Sequence, residues 1–161
     1  MAVDMFIKFD GVKGESKDDK HMEDVDIMAW SWGMSNSGNA QQGGGAGAGK
    51  VNVQDLSFTK YVDKSSPNLM LACCQGTHYK TVDLVVRKAG GNPVEYIKIK
   101  LEEVIITSIS TGGSGGEEKL TENVTLNFAK FKFDYTPQDD TGKAGTAIPA
   151  SWDIAANKKG S

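Results

Sequence analysis

Four groupings in this chain carry residue types that could do chemistry: His21 and His78, the adjacent Cys73 and Cys74, the run G-x-x-x-x-G-K set by Gly44, Gly49 and Lys50, and the acidic stretch 13–26. A zinc centre takes three or four ligands, commonly with a second one a few residues from the first. Neither histidine has one at i+2 or i+4. A general base also needs a matched partner, so both histidines read as structural, with His78 bonding backbone just after Gly76. Cys73 and Cys74 lack the C-x-x-C spacing of a redox pair, and sequence neighbours bridge one another only with strain. They read as reduced thiols packing a helix. A phosphate-binding loop needs Ser or Thr after its lysine and then a helix N-terminus. Here Val51 follows, and V-N-V-Q-D-L-S-F alternates like a strand. The acidic stretch sets Glu15, Asp18, Asp19, Glu23, Asp24 and Asp26 against Lys13, Lys17 and Lys20, without the ligand offsets of a calcium loop. No G-x-S-x-G elbow occurs. The chain is therefore expected to be no enzyme and to hold no metal and no cofactor.

The elements that would position these groups are mostly strands. The 161 residues fit one domain, taken as 1–161, with Gly160-Ser161 read as a cloning scar. Lys plus Arg number 18 against 21 Asp plus Glu, a net charge of −3, which speaks against nucleic acid as a partner. No apolar run reaches the ~20 residues of a membrane span, so no membrane insertion is expected. The start, M-A-V-D-M-F-I-K-F-D, reads as a first strand and not a signal peptide. Nineteen glycines against four prolines fall in clusters, which makes them loops.

Strands are expected over 3–9, 25–34, 51–62, 81–88, 94–101, 104–110 and 120–135, with a bend or bulge near Glu102-Glu103. In the last of these, Val124, Leu126 and Phe128 share one parity and Phe131, Phe133 and Tyr135 the other, which suggests a one-residue bulge. One helix is expected, with Ser66 as N-cap, Pro67 at the first helical position and Gly76 as its stop. The fold class is mainly β: an antiparallel β-barrel of about eight strands, one α-helix packed at its side, and long glycine-rich loops over 35–50 and 111–116.

Residues 25–34, V-D-I-M-A-W-S-W-G-M, stand apart. From Met28 to Met34 one parity carries Met28, Trp30, Trp32 and Met34; the other carries Ala29, Ser31 and Gly33. A sheet wet on one side ordinarily sets bulky polar groups opposite its apolar face, so a nearly bare face needs something smooth beside it. A smooth face, two glycine-rich arms and edge strands suit subunits packed side by side around a shared space.

Several blocks then match a known family. They are M-A-V-D-M-F-I-K, G-E-S-K-D from Gly14, A-W-S-W-G-M-S from Ala29, and G-K-V-N-V-Q-D-L-S-F-T-K-Y from Gly49. K-S-S-P-N-L-M, V-R-K-A-G-G, S-T-G-G-S-G-G and L-T-E-N-V-T-L-N-F-A follow in order. The chain closely resembles the haemolysin-coregulated proteins (Hcp), tube subunits of the bacterial type VI secretion system, through about residue 137. The resemblance implies hexameric rings that stack into an inner tube, driven out of the cell by a contractile sheath behind a spike, with secreted effectors carried or shielded in the lumen. It implies a cytoplasmic protein before firing that is then secreted without a signal peptide. Ala29, Ser31 and Gly33 become the expected lumen-facing effector contacts. Gly43, Gly44, Gly45, Gly47 and Gly49, with Gly112, Gly113, Gly115 and Gly116, become expected subunit or ring contacts. A phage-like tail-tube subunit and a stand-alone ligand-binding β-barrel are the alternatives.

Overall fold

The computed structural model describes residues 3–38, 49–90 and 93–160. Its central element is a 17-residue strand, β8 (Glu95–Thr111). Before it come β1 (Val3–Phe9), β2 (Val25–Asp26), β3 (Ala29–Ser31), β4 (Met34–Ser35), β5 (Asn52–Val53), β6 (Leu56–Tyr61), α1 (Ser66–Gln75) and β7 (His78–Lys88). After it come β9 (Thr121–Asn127), β10 (Lys130–Tyr135), β11 (Ile148–Asp153) and β12 (Lys158–Lys159). Every pairing is antiparallel. One edge of β8 pairs with β7, which leads on to β1 and β2. Its other edge is shared, β10 taking the first half and β9 the second. From β9 the ladder continues to β6 and β3, and from β10 to β11 and β12.

The two arms of the barrel meet at Ile27-Met28. Ile27 N donates to Met5 O at 3.0 Å and Met28 N to Thr59 O at 2.8 Å. Among the described residues no ladder crosses this seam; the chain itself passes from β2 on one arm to β3 on the other. The strand expected over 25–34 is thus cut into β2, β3 and β4, because its start serves β1, its middle β6, and its end the separate two-stranded ribbon β4–β5. Trp30 and Trp32 pack on the core. Met28 and Met34, which share their apolar parity in sequence, are exposed.

Alternation along the strands explains the core. Ile7, Leu84 and Ile99 face one another across β1, β7 and β8, as do Phe9, Val82 and Leu101 one step along, and all six are essentially inaccessible. The parity change near residue 129 is real, but its cause is not the one-residue bulge expected. Glu102 pairs with Lys130 and Ile105 with Asn127, so both strands advance equally through the break. The buried positions of β7 switch from Tyr79 to Val82 on the same line, and those of β8 from Leu101 to Val104. Three strands therefore reverse facing together, beside Glu103, whose φ of 54° lies in the left-handed region. Such a shared turn coils a sheet toward closure without slipping its register. The true register shift of β8 against β9 lies between Ile106 and Ser108.

α1 packs on β8 with Leu69 and Ala72 buried, Met70 and Cys73 half-buried and Cys74 exposed. It begins one residue earlier than the sequence suggests, with Ser65 at the cap position and no side-chain cap bond. The reason is that both serine hydroxyls are spent elsewhere, Ser65 on Asp63 and Ser66 on Glu122. Gly76 ends it at φ 64°, as expected of a left-handed C-terminal residue.

Candidate functional site

Ala29 and Ser31 do not stand alone. They lie opposite Thr59 and Ser57 on β6, which lie opposite Asn123 and Thr125 on β9, which lie opposite Ser110 and Ser108 on β8. Directly paired residues share a face, so four strands present two rows of small, uncharged side chains. Thr59 Oγ1 donates to Asn123 Oδ1 at 2.7 Å, and the Ser57 and Thr125 hydroxyls are 3.1 Å apart. The rows interlock sideways, so their hydroxyls protrude little. At its lower border Asp55 accepts from Asn127 Nδ2 at 2.9 Å and Thr107 Oγ1 at 3.2 Å. The sequence pointed to two of these eight positions, Ala29 and Ser31. The other six needed the pairing register, although the alternation of small polar residues in S-F-T and N-V-T already carries the signal.

Gly33 flanks the wall. Its carbonyl accepts from Gln54 N at 2.9 Å, and a Cβ there would touch the Gln54 amide at 3.4 Å. Trp32 Nε1 donates to Gln54 O at 2.9 Å while its ring meets Phe131 edge-on at 4.7 Å. This bridges the end of the wall strand to β10.

A second surface opens where β10 and β11 leave the barrel. Three core rows continue across β8 onto them: Val86–Ile97–Tyr135–Ile148, Leu84–Ile99–Phe133–Ala150 and Val82–Leu101–Phe131–Trp152. Burial fades along each row. In the first, Val86 is 3% exposed, Tyr135 43% and Ile148 61%. Beside them an apolar groove of about 410 Å³ runs between Met34 and Val53 of the β4–β5 ribbon, with Val51 just before it, and Phe131, Ala150 and Trp152. Beyond residue 137 the sequence is polar apart from Ile148, Trp152 and Ile154; pairing sets Ile148 opposite Tyr135 and Trp152 opposite Phe131, which carries the apolar rows outward.

The expected glycine contacts divide. Gly43, Gly44, Gly45 and Gly47 lie outside the described residues. Gly49 is needed within the chain, since a Cβ would fall 2.0 Å from Ser37 Oγ, and its carbonyl accepts from Asn36 Nδ2 at 2.7 Å. Gly113 lies against Leu120, 2.7 Å from where its Cβ would be, whereas Gly112, Gly115 and Gly116 face open space.

His21 ties the 13–24 excursion to the sheet. Its ring stacks on Phe6 at 4.3 Å, with Nδ1 2.9 Å from Asp24 and Nε2 2.7 Å from Glu95. Arg87 sits 5.2 Å from the same Phe6 ring and bonds Asp18 and Asp4. Among the described residues, no group of three His, Cys, Asp or Glu side chains is placed to hold a metal ion, and no helix is long and apolar enough to cross a membrane.

These features define a mainly β protein: an antiparallel sheet coiled toward a barrel, with one flanking helix, an uncharged wall and an uncovered apolar extension. Comparison with known proteins makes the assignment specific. The family described as "Type VI secretion system effector, Hcp" matches residues 6–135. Protein hcp1 of Pseudomonas aeruginosa is 63% identical over 159 residues, 98% of each chain. The crystal structure of Hcp1 from Salmonella typhimurium superposes with a TM-score of 0.80 at 38% identity, covering 99% of both chains. A structure described as that of a type six secretion system protein reaches 0.93 at 32% identity, covering 99% of this chain and 100% of its own. The chain belongs to the Hcp family of type VI secretion proteins.

Proposed function

We propose that this protein is a non-enzymatic tube subunit acting as one domain: six copies close into a ring, rings stack, and the ring lumen carries or shields secreted effectors. The observation that carries the reading is the apolar extension of β10 and β11. Its rows begin as barrel core and end uncovered at Tyr135 and Ile148, and a soluble protein gains by burying such a surface against another copy. Family membership supports the same reading. Ala29, Ser31 and Gly33, with their row partners, then line the lumen, where short uncharged side chains let cargo pass or lodge without an electrostatic trap. Gly112, Gly115 and Gly116 meet neighbouring copies, as do the glycines of 43–49. In this reading the protein is made in the bacterial cytoplasm, meets the spike and contractile sheath, and leaves the cell without a signal peptide; it inserts into no membrane and binds no nucleic acid. Light scattering at high micromolar concentration tests it. A particle near six times the chain mass is expected, and a strict monomer overturns the ring.

A further inference from the structure

Phe6 is only 4% exposed, yet it lies outside the barrel core. Ile7 and Phe9 of the same strand point inward, whereas Phe6 shares its parity with Asp4 and Lys8. The 13–24 excursion covers it from outside. That excursion is closed on itself by backbone bonds: Gly14 N donates to Glu23 O at 2.7 Å, Glu23 N to Ser16 O at 2.9 Å and Ser16 N to Asp24 O at 3.1 Å. Two side chains then fasten it to the sheet, and they start from one paired position. Arg87 and Glu95 are partners across β7 and β8; Arg87 reaches Asp18, and Glu95 reaches His21. Both fastenings touch the Phe6 ring, His21 by stacking and Arg87 through its guanidinium.

The two differ in what releases them. The bond from Arg87 holds the Asp18 carboxyl down at about 2, and arginine keeps its proton, so this pair stays ionised at neutral and alkaline pH. His21 is another matter. Its Nδ1 lies 2.9 Å from Asp24 Oδ2 and its Nε2 2.7 Å from Glu95 Oε1, with 11% of the side chain exposed. An ionised carboxylate only accepts hydrogen bonds, and a neutral imidazole carries a single N–H. Only the imidazolium satisfies both contacts; losing either proton sets a ring lone pair against a carboxylate oxygen. Burial alone would raise the Glu95 carboxyl, but the bonds from His21 and Lys98 outweigh it and hold it below its ordinary value. The remaining charged groups around the ring come from every neighbouring element. Lys20 of the excursion, Lys8 of β1 and Asp83 of β7 line one cavity of about 200 Å³ with it, and Asp26 of β2 is paired opposite Phe6. Burial raises the Asp83 carboxyl; once ionised it favours the imidazolium, so its titration opposes release and does not mimic it.

We infer that residues 13–24 form a proton-latched strap: the His21 imidazolium holds it shut over Phe6, and loss of that proton frees it to lift. Lifting uncovers Phe6 and its half-buried partner Val85 on the outer face of β1 and β7. The closed strap binds a proton that the open one gives up above the ordinary histidine range, so closure weakens as pH rises. The latch lies within a single chain and needs no second copy.

Amide hydrogen exchange of the wild-type chain, corrected for the intrinsic pH dependence of exchange, tests this at about pH 6 and about pH 9, either side of the histidine range. The amides of Gly14, Ser16 and Glu23 report the strap, and those of Val82, Leu84 and Ile99 report the sheet. Protection of the strap amides should fall about tenfold or more at the higher pH, as expected for losing a hydrogen bond to a charged group, while the sheet amides hold theirs. His21→Gln should show the low strap protection at both pH values. Glu95→Gln should show the high protection at both, because its carboxamide can donate to the bare nitrogen of a neutral ring. Strap protection that ignores pH in the wild type, a loss shared by the sheet amides, or a Glu95→Gln variant that keeps the full pH dependence overturns the latch.

Discussion

Lys60 and Glu122 stand directly opposite one another on β6 and β9, and both side chains are fully buried. Lys60 Nζ contacts Glu122 Oε1 and also donates to Asp63 Oδ1 at 3.0 Å, Ser66 Oγ at 3.0 Å and Tyr61 O at 3.1 Å. Asp63 N in turn donates to Ser66 Oγ at 3.0 Å. One cross-strand ion pair thus fastens the β6–β9 ladder to the first turn of α1. Burying two charges is tolerable only with this density of partners, and even so Glu122 Oε2 has none.

Breaking that pair from one side should be costly. Lys60→Met strands a buried carboxylate, and Glu122→Leu strands a buried ammonium; each is expected to lose about 3–5 kcal/mol in urea unfolding. The double variant should lose less than either single one, because no lone charge remains. Additive losses in the double-mutant cycle would show that the two residues are not coupled.

The sequence showed this pair, in a sense, without explaining it. Lys60 follows Leu56 and Phe58 at the same parity, and Glu122 precedes Val124 and Leu126, so both charges occupy apolar positions. A single strand cannot reveal that the two misfits face one another; that is a property of register. The same limit hid the wall. Ala29, Ser31 and Gly33 are legible as a bare face, but Thr59, Asn123 and Ser110 join Ala29 only after three strands are paired. Local signals fared better. Pro67 and Gly76 bracketed the helix to within a residue, and the parity switch at Phe128 to Phe131 was visible. Its attribution to one strand was wrong because three strands turn together beside Glu103.

Acid should loosen the excursion that Arg87 holds. The Arg87 guanidinium beside Asp18, with Nη1 donating to Oδ1 at 3.0 Å, lowers the carboxyl from 3.8 to about 2. A carboxyl depressed in the folded state contributes stability that is full above its unfolded value and is lost as pH falls through the folded one. Wild-type melting temperature should therefore drop between about pH 4 and pH 2 by more than that of Asp18→Asn, and the two curves should converge at the acid end. Parallel curves would show that this contact carries none of the acid sensitivity.

The uncovered rows of β10 and β11 can be tested without touching the core. Ile148→Lys adds charge at a position already 61% exposed, so monomer stability should change by no more than about 0.5 kcal/mol. Particle mass should nevertheless fall from ring to monomer. A variant that keeps the full ring places the contact elsewhere.

Lengthening the wall should affect cargo and not architecture. Ser31 is exposed and opposite Ser57, and a glutamine there would reach over the Ser57–Thr125 row. Ser31→Gln is expected to form normal rings and to retain less effector in co-purification. Loss of the folded barrel would instead show that this face is core.

The glycines separate into those the chain needs and those it leaves open. A Cβ on Gly14 would lie 2.4 Å from Asp24 O and 2.7 Å from Val25 Cα, both backbone atoms that cannot swing aside. Gly14 N also donates to Glu23 O at 2.7 Å, so the two limbs of the excursion meet at this residue and any side chain pushes them apart. Gly115 meets nothing within 4 Å. Gly14→Ala should therefore cost more than about 2 kcal/mol in urea unfolding, and Gly115→Ala less than about 0.5 kcal/mol. The informative comparison is in assembly: Gly115→Ala should leave chain stability unchanged while weakening the association of rings, because its glycine is unnecessary to the isolated chain. If neither stability nor ring association moves, that position is simply solvent-facing.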